Sequence, residues 1–286
     1  EDALQGKFLH GQLEYFKASE HYQKLLESES KFILKRHSIL QSILIFSNAI
    51  FRKTIFKNSS VSKYEELTGS AKKYADFLYK NHVWMYPFEV KSYFDLSNNA
   101  KSVFFRDFFE NPKYFKDFQA ELIDDLTPLK PILKQNELLF KKMAETQSVC
   151  ITIRRGDFLS DKYKSAHFLT DDAYFVKGIA AIKEVVDNPV FFVFSDDLEY
   201  AAEFTQKFLK DDEFFVETPD NPVWEKLRLG SACKHFIISN STFSWWLQFL
   251  GSYENKKVVG PNIWKPNTKY DNPLIQDDWI KIKMDS

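Results

Sequence analysis

The sequence predicts an α/β protein: a helix-rich first half, then a doubly wound parallel sheet. Two patterns carry that reading. Before residue 147, apolar side chains recur at threes and fours within long polar stretches. From Val149 onward, short β-branched or aromatic runs alternate with helix-length segments. Chain length is the third observation, because 286 residues amount to about two domains at roughly 150 residues each. The change of texture sets them at 1–147 and 148–286.

In the first half, EYFKASEHYQKLLESESKFILKRHSILQSILIF runs on from Glu14, and Leu25, Phe32, Leu34, Ile39, Leu40, Ile43, Leu44 and Phe46 fit amphipathic helices. In the second half, strands are expected at VCITIR (149–154), VFFVFS (190–195), EFFVE (213–217), HFIIS (235–239) and KKVVG (256–260). Helices are expected between them at 171–186, 198–209, 222–232 and 241–250. Strand alternating with helix implies a parallel sheet covered on both faces.

Composition removes several classes. Hydrophobic residues at 44% and charged residues at 28% are ordinary globular values, which excludes wholesale disorder. A net charge of −1 removes a globally basic nucleic-acid binder, so no nucleic-acid partner is expected. No run approaches the length of a membrane span. The chain opens on Glu1, which leaves an upstream start, leader or anchor open. Residues 30–64 hold seven basic side chains (Lys31, Lys35, Arg36, Arg52, Lys53, Lys57, Lys63) and no acidic one. That is either a solvated helix face or a peripheral contact with anionic lipid or a charged acceptor. Cys150 and Cys233 are the only cysteines; they read as buried free thiols in a reducing compartment, with a single disulfide between them as the other option. The location expected is cytoplasmic, with membrane-peripheral contact as an option. The six histidines show no zinc spacing, His235 reads as a core residue, and no metal site is expected.

The eight glycines form no GxG and no GxxxxGK[ST], which removes the dinucleotide and P-loop fingerprints. The GxSxG elbow is missing, and so is an Asp-x-Asp triplet of the kind that holds a sugar diphosphate through a divalent ion. Charge neutralisation by side chains and helix ends is favoured instead.

In open α/β sheets ligands sit beyond the carboxyl ends of strands, and three strand ends here carry suggestive residues. The first runs into Arg154-Arg155-Gly156-Asp157. Paired guanidiniums there can clamp a diphosphate, with Asp157 holding one of them, or they form a plain surface ion pair. The second ends as Phe194-Ser195-Asp196-Asp197, where one carboxylate suits a sugar or base donor group and Asp197 equally suits a helix N-cap. The fourth leads into Asn240-Ser241-Thr242-Phe243-Ser244-Trp245-Trp246. Its hydroxyls and helix N-terminus attract phosphate, while Trp245 and Trp246 read as core rather than as a sugar platform.

These segments together resemble a known family. VCITIRRGDF, FFVFSDD and CKHFIISNSTFSWW followed by VVGPNIW are similar to the inverting α-1,2-fucosyltransferases of glycosyltransferase family eleven, and FFENPKYFKDF (108–118) resembles the aromatic segment preceding that family's second domain. The resemblance implies a GT-B fold, two Rossmann-like domains facing across a cleft. It also implies metal-independent, inverting transfer of fucose from GDP-fucose to a glycan hydroxyl, with the galactose 2-OH expected. The partners implied are a nucleotide sugar and a glycan acceptor, with no cofactor. By position it makes Arg154 a contact of the donor diphosphate, Arg155 and Asp157 shapers of its loop, and Arg154 and Asp157 the catalytic residues. Ser241, Thr242 and Phe243 would face the phosphates and Asp196 the nucleotide. Ser195, Asn240 and Thr152 join the donor-binding set at the same strand ends.

Three departures accompany the resemblance. Thr152 stands where the family's motif has His, and Lys226 and Gly230 stand where it tends toward Asp and Met. The family's opening glycine-rich signature has only LHGQLEY (9–15) as a counterpart, so the first domain is atypical or lacks its start. Two alternatives stay open: the same scaffold with another nucleotide-sugar donor, and an inactive glycan-binding module.

Overall fold

The computed structural model describes residues 15–17, 39–54, 67–85, 104–106, 110–161, 164–167, 170–266 and 272–284. They form two compact units, one from residue 39 to Asp117 and one holding 15–17 with everything from Phe118 onward.

The first unit contains helices α1 (Ile39–Thr54) and α2 (Gly69–Lys80) and strands β1 (Val83–Met85) and β2 (Phe104–Arg106), which pair in parallel with Val83 opposite Phe104. Its core joins Leu44 and Phe51 of α1 to Leu67, Ala75, Leu78 and Val83. Phe51 stacks on Tyr74 at 4.2 Å, and the Tyr74 and Ser47 hydroxyls lie 2.7 Å apart. Burial raises the Tyr74 phenol pKa against the opposing pull of Ser47. The amphipathic expectation is met in part. Leu44 is buried, whereas Ile39, Leu40, Ile43 and Phe46 are 83%, 50%, 58% and 69% exposed. The buried stripe runs Leu44–Phe51, one heptad apart, and the other apolar stripe faces solvent. Leu25, Phe32 and Leu34, and LHGQLEY up to residue 14, lie outside the described residues.

In the second unit α3 (Gln119–Asp125) and α4 (Glu137–Glu145) lead into β3 (Gln147–Ile153). There follow α5 (Lys164–His167), α6 (Asp172–Lys183), β4 (Pro189–Ser195), α7 (Leu198–Phe208) and β5 (Phe214–Val216). The chain continues through α8 (Val223–Ser231), β6 (His235–Ile238), α9 (Thr242–Leu250), β7 (Val258–Pro261) and β8 (Ile280–Ile282). The six strands are all parallel in the order β5-β4-β3-β6-β7-β8. The five expected strands are present. β8 was not expected, since Ile280-Lys281-Ile282 is too short to show a period.

Alternation along β3 divides the core. Val149, Ile151 and Ile153 join Phe191, Val193, Ile237 and Val259 under Tyr174, Phe175, Ile179 and Ile182 of α6 and Phe204 of α7. Each fully buried side chain of this size contributes roughly 1.5–3 kcal/mol. Gly178 lets α6 close on the sheet, because a Cβ there would stand 2.9 Å from Ile237 Cγ2. Asp171 caps α6 by accepting from the Tyr174 amide at 3.0 Å. Elsewhere α8 and α9 meet at Gly230 and Leu247, and Gly251 lies against the Phe236 ring. Trp245 is core, as expected: it is buried, stacked on Phe249 at 4.9 Å, and donates from Nε1 to the Leu274 carbonyl at 2.8 Å. Trp246 is half-buried.

Buried polar groups tie elements together. Glu225 of α8 is wholly enclosed, with Oε1 accepting from the Leu133 amide (2.9 Å) and the Asn136 side chain (3.0 Å) and Oε2 from Arg228 (2.8 Å). Both cysteines are buried and unbridged, and burial, with Cys233 beside it, pushes the Cys150 thiol well up.

His235 is buried, accepts the Lys257 amide on Nδ1 at 3.0 Å, and meets Gln147 Oε1 through Nε2 at 3.2 Å. That pattern suits a neutral ring. Burial first, then Lys234 and Lys257, lowers its pKa to about 4. The folded state therefore binds fewer protons than the unfolded state between the ordinary 6.5 and 4, and stability is lost as pH falls through that window. We expect the melting temperature of the native chain to fall more steeply from pH 6.5 to 4 than that of His235→Gln. Parallel curves would place the slope elsewhere.

Candidate active site

The sheet order reverses between β3 and β6: the chain goes from β3 outward to β4 and β5, then returns to β6 and continues to β7 and β8. Such a switch point is where parallel α/β sheets open for ligands. Thr152 lies in register with Ile238, so the segments leaving the two strands start about 4.8 Å apart. Arg154 and Arg155 leave β3 here, and Ser239, Asn240 and Ser241 leave β6 on the neighbouring strand.

The arginines are held from the end of β4. Arg154 Nη1 lies 2.8 Å from Asp196 Oδ2, with the guanidinium 5.6 Å from the Phe158 ring and the side chain 37% exposed. Asp196 Oδ1 accepts the Arg155 amide at 2.8 Å, so one carboxylate fixes both the loop and the guanidinium. A Cβ on Gly156 would fall 2.4 Å from Asp196 Oδ2, which explains glycine there: any side chain would push the carboxylate away from Arg154. Arg155 pairs through Nε with Asp197 at 3.2 Å and lies 3.5 Å over the Tyr200 ring. Tyr200 in turn donates to Asp172, and burial together with that carboxylate raises its phenol pKa, opposed by Arg155.

Asp197 also accepts the Tyr200 amide at 3.0 Å and so N-caps α7, as expected; its pairing with Arg155 was not expected. Asp157 opens a 3-10 turn, Asp157–Leu159, and its side chain lies outside the described residues. Among the described residues, Asp196 pairs with Arg154 and Asp197 with Arg155.

Ser195 joins the framework. Its hydroxyl donates to the Ile153 carbonyl (2.9 Å) and accepts the Asp197 amide (3.0 Å), splicing the ends of β3 and β4. Its own amide donates to Glu217 Oε1 at 2.9 Å. Glu217 follows β5, is enclosed, and pairs with Lys226 of α8 at 3.0 Å. Burial raises the Glu217 carboxyl, opposed by the Lys226 charge, the Ser195 amide and Asn221.

On the β6 side, Thr152 is buried and its Oγ1 accepts the Ser239 amide at 3.3 Å, linking the two strand ends from beneath. Ser239 and Ser244 hydroxyls meet at 3.0 Å. Asn240 is buried and donates to the Trp264 carbonyl at 3.0 Å. Ser241 occupies the N-cap of α9 without a side-chain capping bond, and no acidic residue stands in the first turn. Thr242 is exposed and Phe243 half-exposed. The first amides of a helix have no intrahelical acceptor and carry the positive end of its dipole. That end lies beside the strand from which Arg154 emerges. Among the described residues no group of three His, Cys, Asp or Glu is arranged to hold a metal ion.

Two cations and a helix amino end at a switch point fit an anionic ligand, and comparison with known proteins says which kind of protein carries them. The family model described as Glycosyl transferase family 11 matches residues 4–283. The chain belongs to glycosyl transferase family 11. It is a glycosyltransferase, then, and its relatives agree. An α-1,2-colitosyltransferase of Escherichia coli is 32% identical over 204 residues, covering 68% of this chain and 69% of the relative. The O-antigen biosynthesis glycosyltransferase WbnK of Escherichia coli is 32% identical over 185 residues, and that match spans 59% of each chain. Among solved structures, POFUT1 in complex with GDP-fucose is 12% identical with a TM-score of 0.33, over 44% of each chain.

Within this family 11 glycosyltransferase, the reading of strand ends found the arginines and the Ser/Thr cluster. It did not name Tyr200, Asp172 or Glu217, and it named Lys226 only as a departure from the family's pattern. Glu217 alone left a signal, a carboxylate closing the strand-like run EFFVE; the others join through contacts between distant segments.

Proposed function

We propose that the protein transfers fucose from GDP-fucose to a glycan hydroxyl, the galactose 2-OH, by metal-independent inverting displacement. The observation that carries this reading is the juxtaposition of Arg154, at the end of β3, with the N-terminus of α9, beyond the adjacent strand β6. The acceptor oxygen attacks the anomeric carbon from the face opposite the nucleotide, forming the new C–O bond as the bond to the β-phosphate oxygen breaks. The hydroxyl proton leaves to a base, and the diphosphate departs with its negative charge. Arg154 and the α9 amides stabilise that charge where it grows. Arg155, held by Asp197 and Tyr200, keeps the loop in place.

A cytoplasmic setting and no cofactor belong to the same reading. The linkage rests on membership of family 11 and on a relative named for α-1,2 transfer. That relative's sugar, colitose, is the second candidate donor group.

Thr152, which stands where the family's motif has His, accepts the Ser239 amide, so the identity of the nucleotide base is the point to measure. Calorimetric titration with GDP, UDP and CDP is expected to rank GDP tightest. Preference for UDP would move the reading to another donor, and no binding of any of the three would leave a glycan-binding module.

A further inference from the structure

Helix α1 buries Leu44 and Phe51 and turns a second apolar stripe outward. Ile39, Ile43 and Phe46 follow one another at steps of four and three, which places them on one line of a helix, and Leu40 flanks it. Their exposures run from 50% to 83%, far more than a helix needs for its own fold. Lys31, Lys35 and Arg36 precede the helix in sequence, Arg52 and Lys53 stand in its last turn, and Lys57 and Lys63 follow. No Asp or Glu occurs from residue 30 to 64. No helix among the described residues is long and apolar enough to cross a membrane.

We propose that this face of α1 docks on an anionic lipid surface. A helix with an apolar stripe and basic neighbours lies in the plane of the headgroups, side chains in the acyl boundary and cations against phosphate. A second copy of the chain fits less well. From Ile39 to Phe46 the stripe extends about 10 Å at 1.5 Å per residue, whereas stable dimers bury about 800 Å² per partner. Two copies would also bring the same acid-free segments together. The proposal is independent of the donor site and does not rest on the sugar transferred.

Co-sedimentation of the full chain with mixed phosphatidylcholine–phosphatidylglycerol vesicles tests it, with pure phosphatidylcholine as the reference. The expected result is binding to the mixed vesicles, weakened by salt, and loss of binding in an Ile43→Glu/Phe46→Glu variant that melts like the native chain. Arg52→Gln/Lys53→Gln, which leaves the apolar stripe untouched, should reduce binding to the mixed vesicles. The proposal is overturned if the native chain ignores the mixed vesicles or if the double-Glu variant binds as well as it does. It is equally overturned if sedimentation equilibrium shows a native dimer that this variant converts to monomer.

Discussion

Arg154→Ala is expected to lower kcat for sugar transfer by about 10²–10³-fold, the loss typical of removing one preorganised group from a developing oxyanion. The fold should survive, because the Arg154–Asp196 pair is 37% and 23% exposed and partly exposed pairs of this kind contribute roughly 0–1 kcal/mol. Asp196 keeps its bond to the Arg155 amide in the variant, so the loop retains its anchor. Arg154→Lys restores the charge without the planar fork and should fall between the two. Initial rates with saturating nucleotide sugar, read beside thermal melting, check both expectations. Transfer at the native rate in Arg154→Ala would remove the residue from the mechanism.

The second large effect concerns stability. Glu225→Ala should cost about 3–5 kcal/mol, the usual penalty for removing one member of a buried ion pair. The Leu133 amide and the Asn136 side chain both donate to Glu225, and Arg228, whose side chain is 13% exposed, loses its carboxylate. Arg228 also donates to the carbonyls of Pro128 and Lys130, which moderates the loss without replacing the charge. Against a total of roughly 5–15 kcal/mol, that is a large share, and for a unit of this size the melting temperature should drop roughly 6–20 °C. Glu225→Gln keeps an acceptor oxygen and should lose less. An unchanged melting temperature in Glu225→Ala would mean that the enclosed carboxylate does not hold α8 to the segment before α4.

The parallel half was legible because its central strands are buried on both faces and are written as uninterrupted runs such as Val190–Ser195, separated by helix-length segments. Asp171 and Asp197 mark where two of those segments start. β8 was not legible, since three residues carry no period and its place beside β7 is decided by the sheet. In the first unit, spacing alone suggested an amphipathic helix but could not say which of two stripes would be buried. Leu44 and Phe51 are covered by Tyr74 and Leu78 from α2, a choice made by partners.

The site divides in the same way. Arg154, Arg155 and the serines after β6 are adjacent in sequence to strand ends, so topology brings them together. Ser195, Asn240 and Thr152, expected among the donor contacts, also bond backbone groups brought beside them by the fold. Nothing in their spacing announces that.

The placement of β3 at the middle of the sheet has a consequence for biosynthesis. It is the first of the six strands to leave the ribosome, yet its β6 neighbour, paired from His235 onto Val149, is encoded 86 residues later. At about 5–20 residues per second, one side of Val149–Ile153 waits roughly 4–17 s for its partner. A nascent chain carrying an open, β-branched edge is a natural client for chaperones during that interval.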